Sequence, residues 1–293
     1  MKTRNASDSL LLGIFYFVIT LFAALCLLPF LLLISSSVTD ELSLIRNGYG
    51  LLPPKPSLEA YKLILGSASI YKSYAVTLIV TVVGTAISML VTSGIAYAIS
   101  ERRLKYAGVI SFILYLTILF NGGLVAYYLL IVKYLHLNDT IWALILPGVL
   151  SPYYVFMLRN FFRTVPESLA ESARIDGAND WTVMLRIILP VSLPAMSTIG
   201  LFYAIGFWNE WFRALLFIEK PDLYPLQYII MAIIRNVEFA STMVNGNQQV
   251  AAVVPALSAR MATTVVTIGP IVFLYPFLQR YFIRGLVMGA VKG

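Results

Sequence analysis

Cysteine and histidine are almost absent from this 293-residue chain, which contains one of each, Cys26 and His136. A single cysteine excludes an internal disulfide and a multi-cysteine metal cluster, and a single histidine argues against a histidine-based metal site. Charged residues are scarce as well, at 12% against about 25% in soluble domains. The chain also lacks the Gly-x-x-x-x-Gly-Lys-Ser/Thr loop that cradles nucleotide phosphates. We therefore predict a non-catalytic protein without a cofactor or metal of its own.

Apolar residues are abundant, at 59% of the chain against about 45–50% in soluble domains. Six apolar runs reach the roughly 20 residues that a helix needs to cross a bilayer. They lie at about 10–34, 75–99, 107–132, 140–158, 195–218 and 261–282. These runs predict an all-α membrane protein with six transmembrane helices. The first run is too long for a signal peptide and lacks a small-residue cleavage site, so we expect a retained helix with Cys26 buried in it.

The distribution of basic residues predicts the orientation of the spans. The short connection 100–106 holds Arg102, Arg103 and Lys105, and cytoplasmic connections are enriched in Lys and Arg. With this connection inside, six spans place both termini in the cytoplasm. The outer segments 35–74 and 219–260 are then loops, and the first is predicted to contain a short surface helix.

The inner segment 159–194 has the pattern of two short helices joined by a corner. Thr164 followed by Glu167 predicts a capping box at the start of the first helix. Gly177 is placed to end that helix in the left-handed conformation, and Asn179 or Asp180 is placed to cap the second helix. Such a knuckle suits insertion into a groove on another protein.

The spacing of this segment resembles the Glu-Ala-Ala loop of ATP-binding-cassette (ABC) importer permeases. Glu171-Ser172-Ala173 is followed after three residues by Gly177 and after nine more by Ile187-Ile188-Leu189-Pro190. Ser172, in place of an alanine, is the one departure. The string 166–178 and the carboxyl end 285–293 are similar to the MalG-like sugar permeases. Further similarity, to the LplC-type branch of oligosaccharide and polysaccharide permeases, lies at 121–124, 141–147 and 208–210.

The resemblance implies a MalG-like type I importer permease fold, formed by 1–293 as one domain in a prokaryotic cytoplasmic membrane. It implies that the chain moves a carbohydrate by alternating access, together with a second permease of similar fold. The other implied partners are two ABC ATPases, which hold ATP and Mg²⁺, and an extracytoplasmic sugar-binding protein. The LplC-like features point to an oligosaccharide, and Arg213 and Arg235 favour an acidic one such as an alginate or pectin fragment.

The resemblance also implies roles for the inner loop and for the tail 283–293. Leu169, Ala173 and Ile175 would supply an apolar knob, while Glu171 and Asp176 would meet basic groups of the ATPase. Gly177 would set the corner. The predicted ATPase-coupling residues are Leu169, Glu171, Ser172, Ala173, Ile175, Asp176 and Gly177, and the tail, which would reach between the ATPases, adds Gly289 and Lys292.

Polar residues inside spans are candidates for a substrate passage, because polar groups at membrane depth tend to mark pathways. Asn121 lies beside two glycines that weaken its helix, and Glu210 and Arg213 are three residues apart, where they can pair. The predicted pathway residues are Asn121, Tyr127, Tyr128, Trp208, Asn209, Glu210 and Arg213. A structural ion pair, a helix-helix hydrogen bond from Asn121 and an interfacial belt of tyrosines are the alternatives; Tyr153 and Tyr154 share the last ambiguity.

Two other classes of protein remain as alternatives. An ion-coupled secondary transporter of a small polar solute would need carboxylates at mid-membrane, and Glu210 is the one acidic residue that we place in a span. A scaffold subunit without transport activity would not need the Glu-Ala-Ala spacing.

Overall fold

The computed structural model describes residues 6–232, 235 and 257–269, and within these ranges it is helical and has no β-strand. The described residues form two compact units. One unit combines the first 67 residues with those between Ala232 and Gly269, and the other comprises Ala68–Met231. The prediction of a single permease domain stays a prediction.

A buried carboxylate, that of Glu41, connects distant segments of the first unit. This unit contains helices α1 (Ala6–Ser37), α2 (Glu41–Asn47), α3 (Glu59–Leu65) and the helical residues 257–269. Glu41 accepts hydrogen bonds from the backbone N–H groups of Leu257 and Ser258, both at 2.8 Å, and from the Ser258 hydroxyl at 2.6 Å. These groups belong to the first described residues of the helical segment 257–269. Glu41 therefore connects α2 to the segment that contains the start of the predicted sixth span.

Besides the helical residues 226–231 and the 3₁₀ turns Leu146–Gly148 and Pro221–Leu223, the second unit contains ten further described α-helices. They are α4 (Ala68–Ser100), α5 (Ala107–Leu119), α6 (Leu124–Leu129), α7 (Ile141–Ile145), α8 (Pro152–Phe162), α9 (Glu167–Ile175), α10 (Asp180–Val183), α11 (Leu189–Val191), α12 (Leu193–Trp208) and α13 (Phe212–Phe217). Short π-helical turns extend α6 through Leu130–Tyr134 and join α10 to α11 through Met184–Ile188.

Helix α4 packs closely against α12 because small and hydroxyl-bearing residues line it. A Cβ at Gly84 would come within 2.8 Å of the Phe207 ring, and Ser88 is fully buried. The Gly84-x-x-x-Ser88 spacing is typical of such close helix packing. In a membrane, where lipid is as apolar as a side chain, such close approach is a main source of helix association. The hydroxyl of Thr77 also accepts the Leu226 backbone N–H at 2.9 Å.

The predicted spans are only partly continuous. Leu11–Ser37 and Ala68–Ser100 are single helices long and apolar enough to cross a membrane. Three bent pairs reach that length only when each is counted as one span: Ala107–Leu119 with Leu124–Tyr134 (115°), Ile141–Gly148 with Pro152–Phe162 (49°), and Asp180–Val191 with Leu193–Trp208 (85°). The predicted sixth span is helical over 261–269 and otherwise lies outside the described residues. The count of six stays a prediction.

The predicted third, fourth and fifth spans are not continuous helices, and the fourth bends between Gly148 and Pro152. The third span breaks between Leu119 and Leu124, where Gly123 takes a φ of +82°. The fifth breaks after Trp208, where Glu210 Oε1 accepts the Arg213 backbone N–H at 2.7 Å and so replaces the bond of a continuous helix. Polar side chains at these positions compete for backbone hydrogen bonds.

The predicted burial of Cys26 is also wrong. Cys26 is exposed, because the apolar window of its helix has no buried residue. The surface of α1 is thus left to lipid or to another chain. The predicted surface helix in the first outer segment is confirmed as α3, whereas α2 was not predicted.

Candidate functional site

The first helix of the inner loop begins differently from the prediction. Helix α9 starts at Glu167 after Pro166, and no side chain caps it. The predicted capping box at Thr164 is wrong, because the Thr164 hydroxyl donates backwards to the Phe161 carbonyl at 2.7 Å. The Thr164 side chain therefore bonds to the last turn of the preceding helix and does not cap α9.

The corner between the two helices forms as predicted. Gly177 has a φ of +86°, its N–H donates to the Arg174 carbonyl at 3.0 Å, and the Ala178 N–H donates to the Ala173 carbonyl at 2.9 Å. These two bonds form a Schellman motif, which requires a left-handed residue after the helix. The Asn179 side chain then accepts the Thr182 backbone N–H at 2.8 Å and caps the second helix.

Arg174 anchors this corner to the membrane-spanning helices. Its Nη2 lies 2.8 Å from Glu101 Oε2, just beyond the end of α4, and 3.2 Å from Asp180 Oδ1 in α10. The side chains of Arg174 and Glu101 are only 14% and 23% exposed. Partial burial opposes the charge of Arg174, but the charge of Glu101 and the hydrogen bonds to Asp180 and Glu101 outweigh it and raise the pKa of Arg174. One guanidinium thus joins α4, α9 and α10.

The predicted coupling residues lie around this anchor. Leu169 and Ile175 are exposed, the latter at 86%, so two of the three predicted knob residues present apolar surface. Ala173 instead packs against the chain's own core. The polar or small members of the set are all exposed: Glu171, Ser172, Asp176 and Gly177.

Sequence reasoning missed three features of the loop. Trp181 and Leu185 in the second helix are 69% and 53% exposed and add to its apolar surface. Arg174 was not predicted to have a structural role. Its position seven residues after Glu167 and six before Asp180 gives no signal of the long-range partner Glu101, which is 73 residues away.

Asn121 lies at the break in the third span and is exposed. Its Oδ1 accepts the Gly123 backbone N–H at 2.9 Å, which is a local turn and not a helix-helix hydrogen bond. The side chain therefore stabilises the bend that separates α5 from α6. The predicted weakening of the helix at this point is confirmed.

The predicted residues after α12 are brought together at the second break. Glu210 and Arg213 form an ion pair through Oε2 and Nη2, and Arg213 Nη1 donates to the Leu144 carbonyl at 2.7 Å. Glu210 is only 9% exposed. Trp208 is buried too, whereas Asn209 is exposed and its Oδ1 accepts a hydrogen bond from Gln227 at 3.1 Å. The predicted pairing of Glu210 with Arg213 is confirmed, and their place in a substrate pathway stays a prediction.

Tyr127 and Tyr128 pack against Phe217 of α13. Tyr127 meets the Phe217 ring edge-on at 5.4 Å, and Tyr128 stacks on it at 6.0 Å. Tyr128 is 41% exposed and Tyr127 is half-buried. The predicted pathway residues thus fall into three sets of contacts.

A residue that sequence reasoning missed connects three spans. The Tyr203 hydroxyl of α12 lies 2.7 Å from the Thr92 hydroxyl of α4 and accepts the Ser151 backbone N–H at 3.0 Å. Ser151 precedes α8 at the bend in the fourth span, where its N–H has no helical partner. One buried hydroxyl therefore satisfies the bend and fixes it to two neighbouring helices.

The predicted tail residues Gly289 and Lys292 lie outside the described residues. Within the described ranges, no group of three or more His, Cys, Asp or Glu residues is arranged to hold a metal ion.

Comparison with known proteins agrees with this geometry. A family model described as the inner membrane component of binding-protein-dependent transport systems matches residues 93–287. The chain is 38% identical to the polygalacturonan/rhamnogalacturonan transport system permease protein YtcP of Bacillus subtilis over all of both chains. It is also 38% identical to the protein LplC of that organism, over 92% of this chain and 90% of LplC.

A solved structure is similar as well. It is a bacterial ABC transporter involved in the import of the acidic polysaccharide alginate, and one of its chains is 28% identical to this one. The TM-score is 0.83, with 96% of this chain and 100% of that chain covered.

The first prediction concerns Arg174. Replacement by Met removes the charge and leaves the partly buried Glu101 unpaired, which should cost roughly 1–3 kcal/mol, between the values for exposed and buried pairs. Thermal denaturation of the purified complex measures the loss. The matched control is Arg102→Met, because the Arg102–Glu167 pair is 3.5 Å long and 83% and 58% exposed, so little should change. Equal effects of the two substitutions would contradict the anchoring role.

The second prediction concerns the Tyr203 hydroxyl. Tyr203→Phe leaves the Ser151 N–H without its acceptor and should destabilise the chain by about 1–3 kcal/mol. Tyr154→Phe is the control, since the Tyr154 hydroxyl has no hydrogen bond within the described part of the chain. Denaturation midpoints of both variants should differ clearly; the same midpoint for both would mean that the hydroxyl does not hold the bend.

Proposed function

Because the chain belongs to the family of inner membrane components of binding-protein-dependent transport systems, we propose that it is a permease subunit of an ABC importer for an acidic oligosaccharide. The subunit provides half of a passage across the cytoplasmic membrane and opens it to the two sides in turn. Hydrolysis of ATP takes place on partner chains.

The inner-loop corner is the observation that carries the coupling role. Leu169, Ile175 and Trp181 present apolar side chains on a loop whose neighbours are polar. Exposed apolar surface rimmed by polar groups is typical of a protein interface. Because Arg174 connects this loop to α4, a push on the loop is transmitted to a spanning helix. An ABC ATPase that docks on the corner can therefore move the spans.

The proposed substrate follows from the relatives. YtcP is named for polygalacturonan and rhamnogalacturonan, and the similar structure for alginate. Galacturonan and alginate share a carboxylate on their sugar units, so an oligosaccharide with uronate residues is the chemistry common to both. The expected role of Arg213 in binding that acid is weakened, because its charge is already matched by Glu210.

The proposed assembly contains this chain, a second permease, two ATPases and an extracytoplasmic binding protein. Both termini face the cytoplasm, and the tail with Gly289 and Lys292 reaches between the ATPases. The alternative of an ion-coupled transporter loses support, because Glu210 is held in an ion pair and is not a free carboxylate.

The third prediction tests the corner. At Gly177 an added Cβ meets no atom within 4 Å, but the φ of +86° costs a larger side chain about 1–2 kcal/mol. Gly177→Leu should therefore leave the protein in the membrane while ATP hydrolysis continues without uptake. Gly177→Asn is the matched control, because asparagine tolerates this conformation better. Uptake and ATPase rates in vesicles measure both variants. Undiminished uptake by the leucine variant would exclude the role of the corner.

The fourth prediction tests the substrate. In vesicles containing the whole transporter and its binding protein, galacturonan and alginate oligosaccharides should stimulate ATP hydrolysis, and maltotetraose should not. The comparison is made at matched chain length, so that charge is the variable. Stimulation by the neutral sugar alone would remove the acidic assignment.

A further inference from the structure

A cavity of about 250 Å³ lies where the bent fourth span meets α12. Tyr154 and Phe202 form one part of its wall and Arg213 another, while Gly148 and Gly206 contribute no side chain. The bend in the fourth span and the break in the fifth both border it, since Gly148 ends the first half of the fourth span and Arg213 follows α12. Discontinuous membrane helices are a common setting for substrate sites.

The aromatic wall is held rigidly. Tyr154 stacks on Phe202 at 5.8 Å with 24° between the ring planes, and the edge of Tyr203 meets it at 4.8 Å. Tyr203 is itself fixed by its two hydrogen bonds. Within the described residues the Tyr154 hydroxyl makes no hydrogen bond, so a polar group remains available beside an ordered ring.

The polar wall of the cavity, formed by Arg213, is also held in place by neighbouring groups. Arg213 is held by Glu210 and by the Leu144 carbonyl, and its guanidinium lies 5.5 Å from the centre of the Phe207 ring. A Cβ at Gly148 would overlap this guanidinium, so glycine is required for the approach. Among the described contacts, the side-chain bonds engage two of the five N–H donors of arginine, which leaves donors for a bound oxygen.

We propose that this cavity holds one pyranose ring of the carbohydrate during its passage. The sugar packs against the aromatic wall formed by Tyr154 and Phe202, and sugar oxygens accept from Arg213. Ligand pockets for whole drug-sized molecules measure roughly 300–1,000 Å³. A volume below that range suits a single ring, so an oligosaccharide passes through it one unit at a time.

This inference rests on the proposed carbohydrate function but not on the acidity of the substrate. Because Glu210 balances the charge of Arg213, the formal charges of the pair sum to zero. Packing against the aromatic wall is available to neutral and acidic sugars alike. The cavity therefore recognises the ring shape, and selectivity for a uronate has to arise elsewhere in the transporter.

Filling the cavity is the most direct test. An added Cβ at Gly206 meets no atom within 4 Å, so Gly206→Leu occupies open space without an immediate clash. Gly108→Leu, at an equally open and exposed site in α5 away from the cavity, is the matched control. Uptake is measured in vesicles with the complete transporter, using whichever of galacturonan oligosaccharide, alginate oligosaccharide and maltotetraose the wild type transports. Gly206→Leu should lower uptake by about tenfold or more, and Gly108→Leu should not.

A second pair of variants tests the aromatic wall. Tyr154→Ala should lower uptake to a similar extent, and Tyr154→Phe should restore most of it, because the ring returns without the hydroxyl. Copurification of the ATPase checks the assembly of each variant. Uptake at the wild-type level by assembled Gly206→Leu, or equal loss by the Ala and Phe variants, would overturn the proposal.

Uptake by the wild type also distinguishes a failure of the proposed substrate from a failure of the ring site. A wild type that transports only maltotetraose would refute the acidic substrate and leave the cavity to be judged by its variants. A wild type that transports none of the three carbohydrates would refute the proposed function and the ring site together.

Discussion

The ion pair of Arg174 with Glu101 is the constraint on which the coupling geometry depends. It joins a helix that presents apolar surface outward to the longest described helix of the second unit, at a distance of 2.8 Å. Because both side chains are mostly buried, the pair is shielded from solvent more than a surface salt bridge. Asp180 binds the same guanidinium from the second helix of the loop. The ion pairs of Arg174 therefore hold the corner at Gly177 in place, so that the loop and α4 can move as one rigid body.

From α4 the structure leads to the breaks in the spans. Thr92 of α4 meets Tyr203 of α12, which in turn accepts the free N–H at the bend of the fourth span. Arg213 connects the second break to the Leu144 carbonyl before that bend. Irregular backbone at membrane depth needs internal partners for its polar groups. The bend in the fourth span and the break in the fifth both obtain partners from neighbouring helices, and both line the same cavity.

Local features of the loop could be predicted from the sequence, whereas long-range ones could not. Gly177 and Asn179 were correctly placed because their roles depend on φ and on a bond three residues away. The capping box predicted at Thr164 was wrong, because a threonine hydroxyl can donate to a carbonyl earlier in the chain as readily as it can accept an N–H later in the chain. The breaks at Asn121 and Glu210 interrupt runs whose hydropathy gives no sign of them. Arg174 with Glu101 and Tyr203 with Thr92 depend on contacts 73 and 111 residues apart, which no spacing rule contains. The family could still be recognised, since its pattern consists of local signals.

The most direct test of the rigid connection between the inner loop and α4 is a distance between two spin labels. With Cys26 replaced by Ser, cysteines at the exposed positions Ser168 and Arg103 place one label on α9 and the other in the connection after α4. If Arg174 clamps the two together, this distance stays single and unchanged when the assembled transporter binds ATP, while transport continues. A distance that broadens or shifts on ATP binding in a transporting complex would contradict the account, because the loop would then move independently of α4.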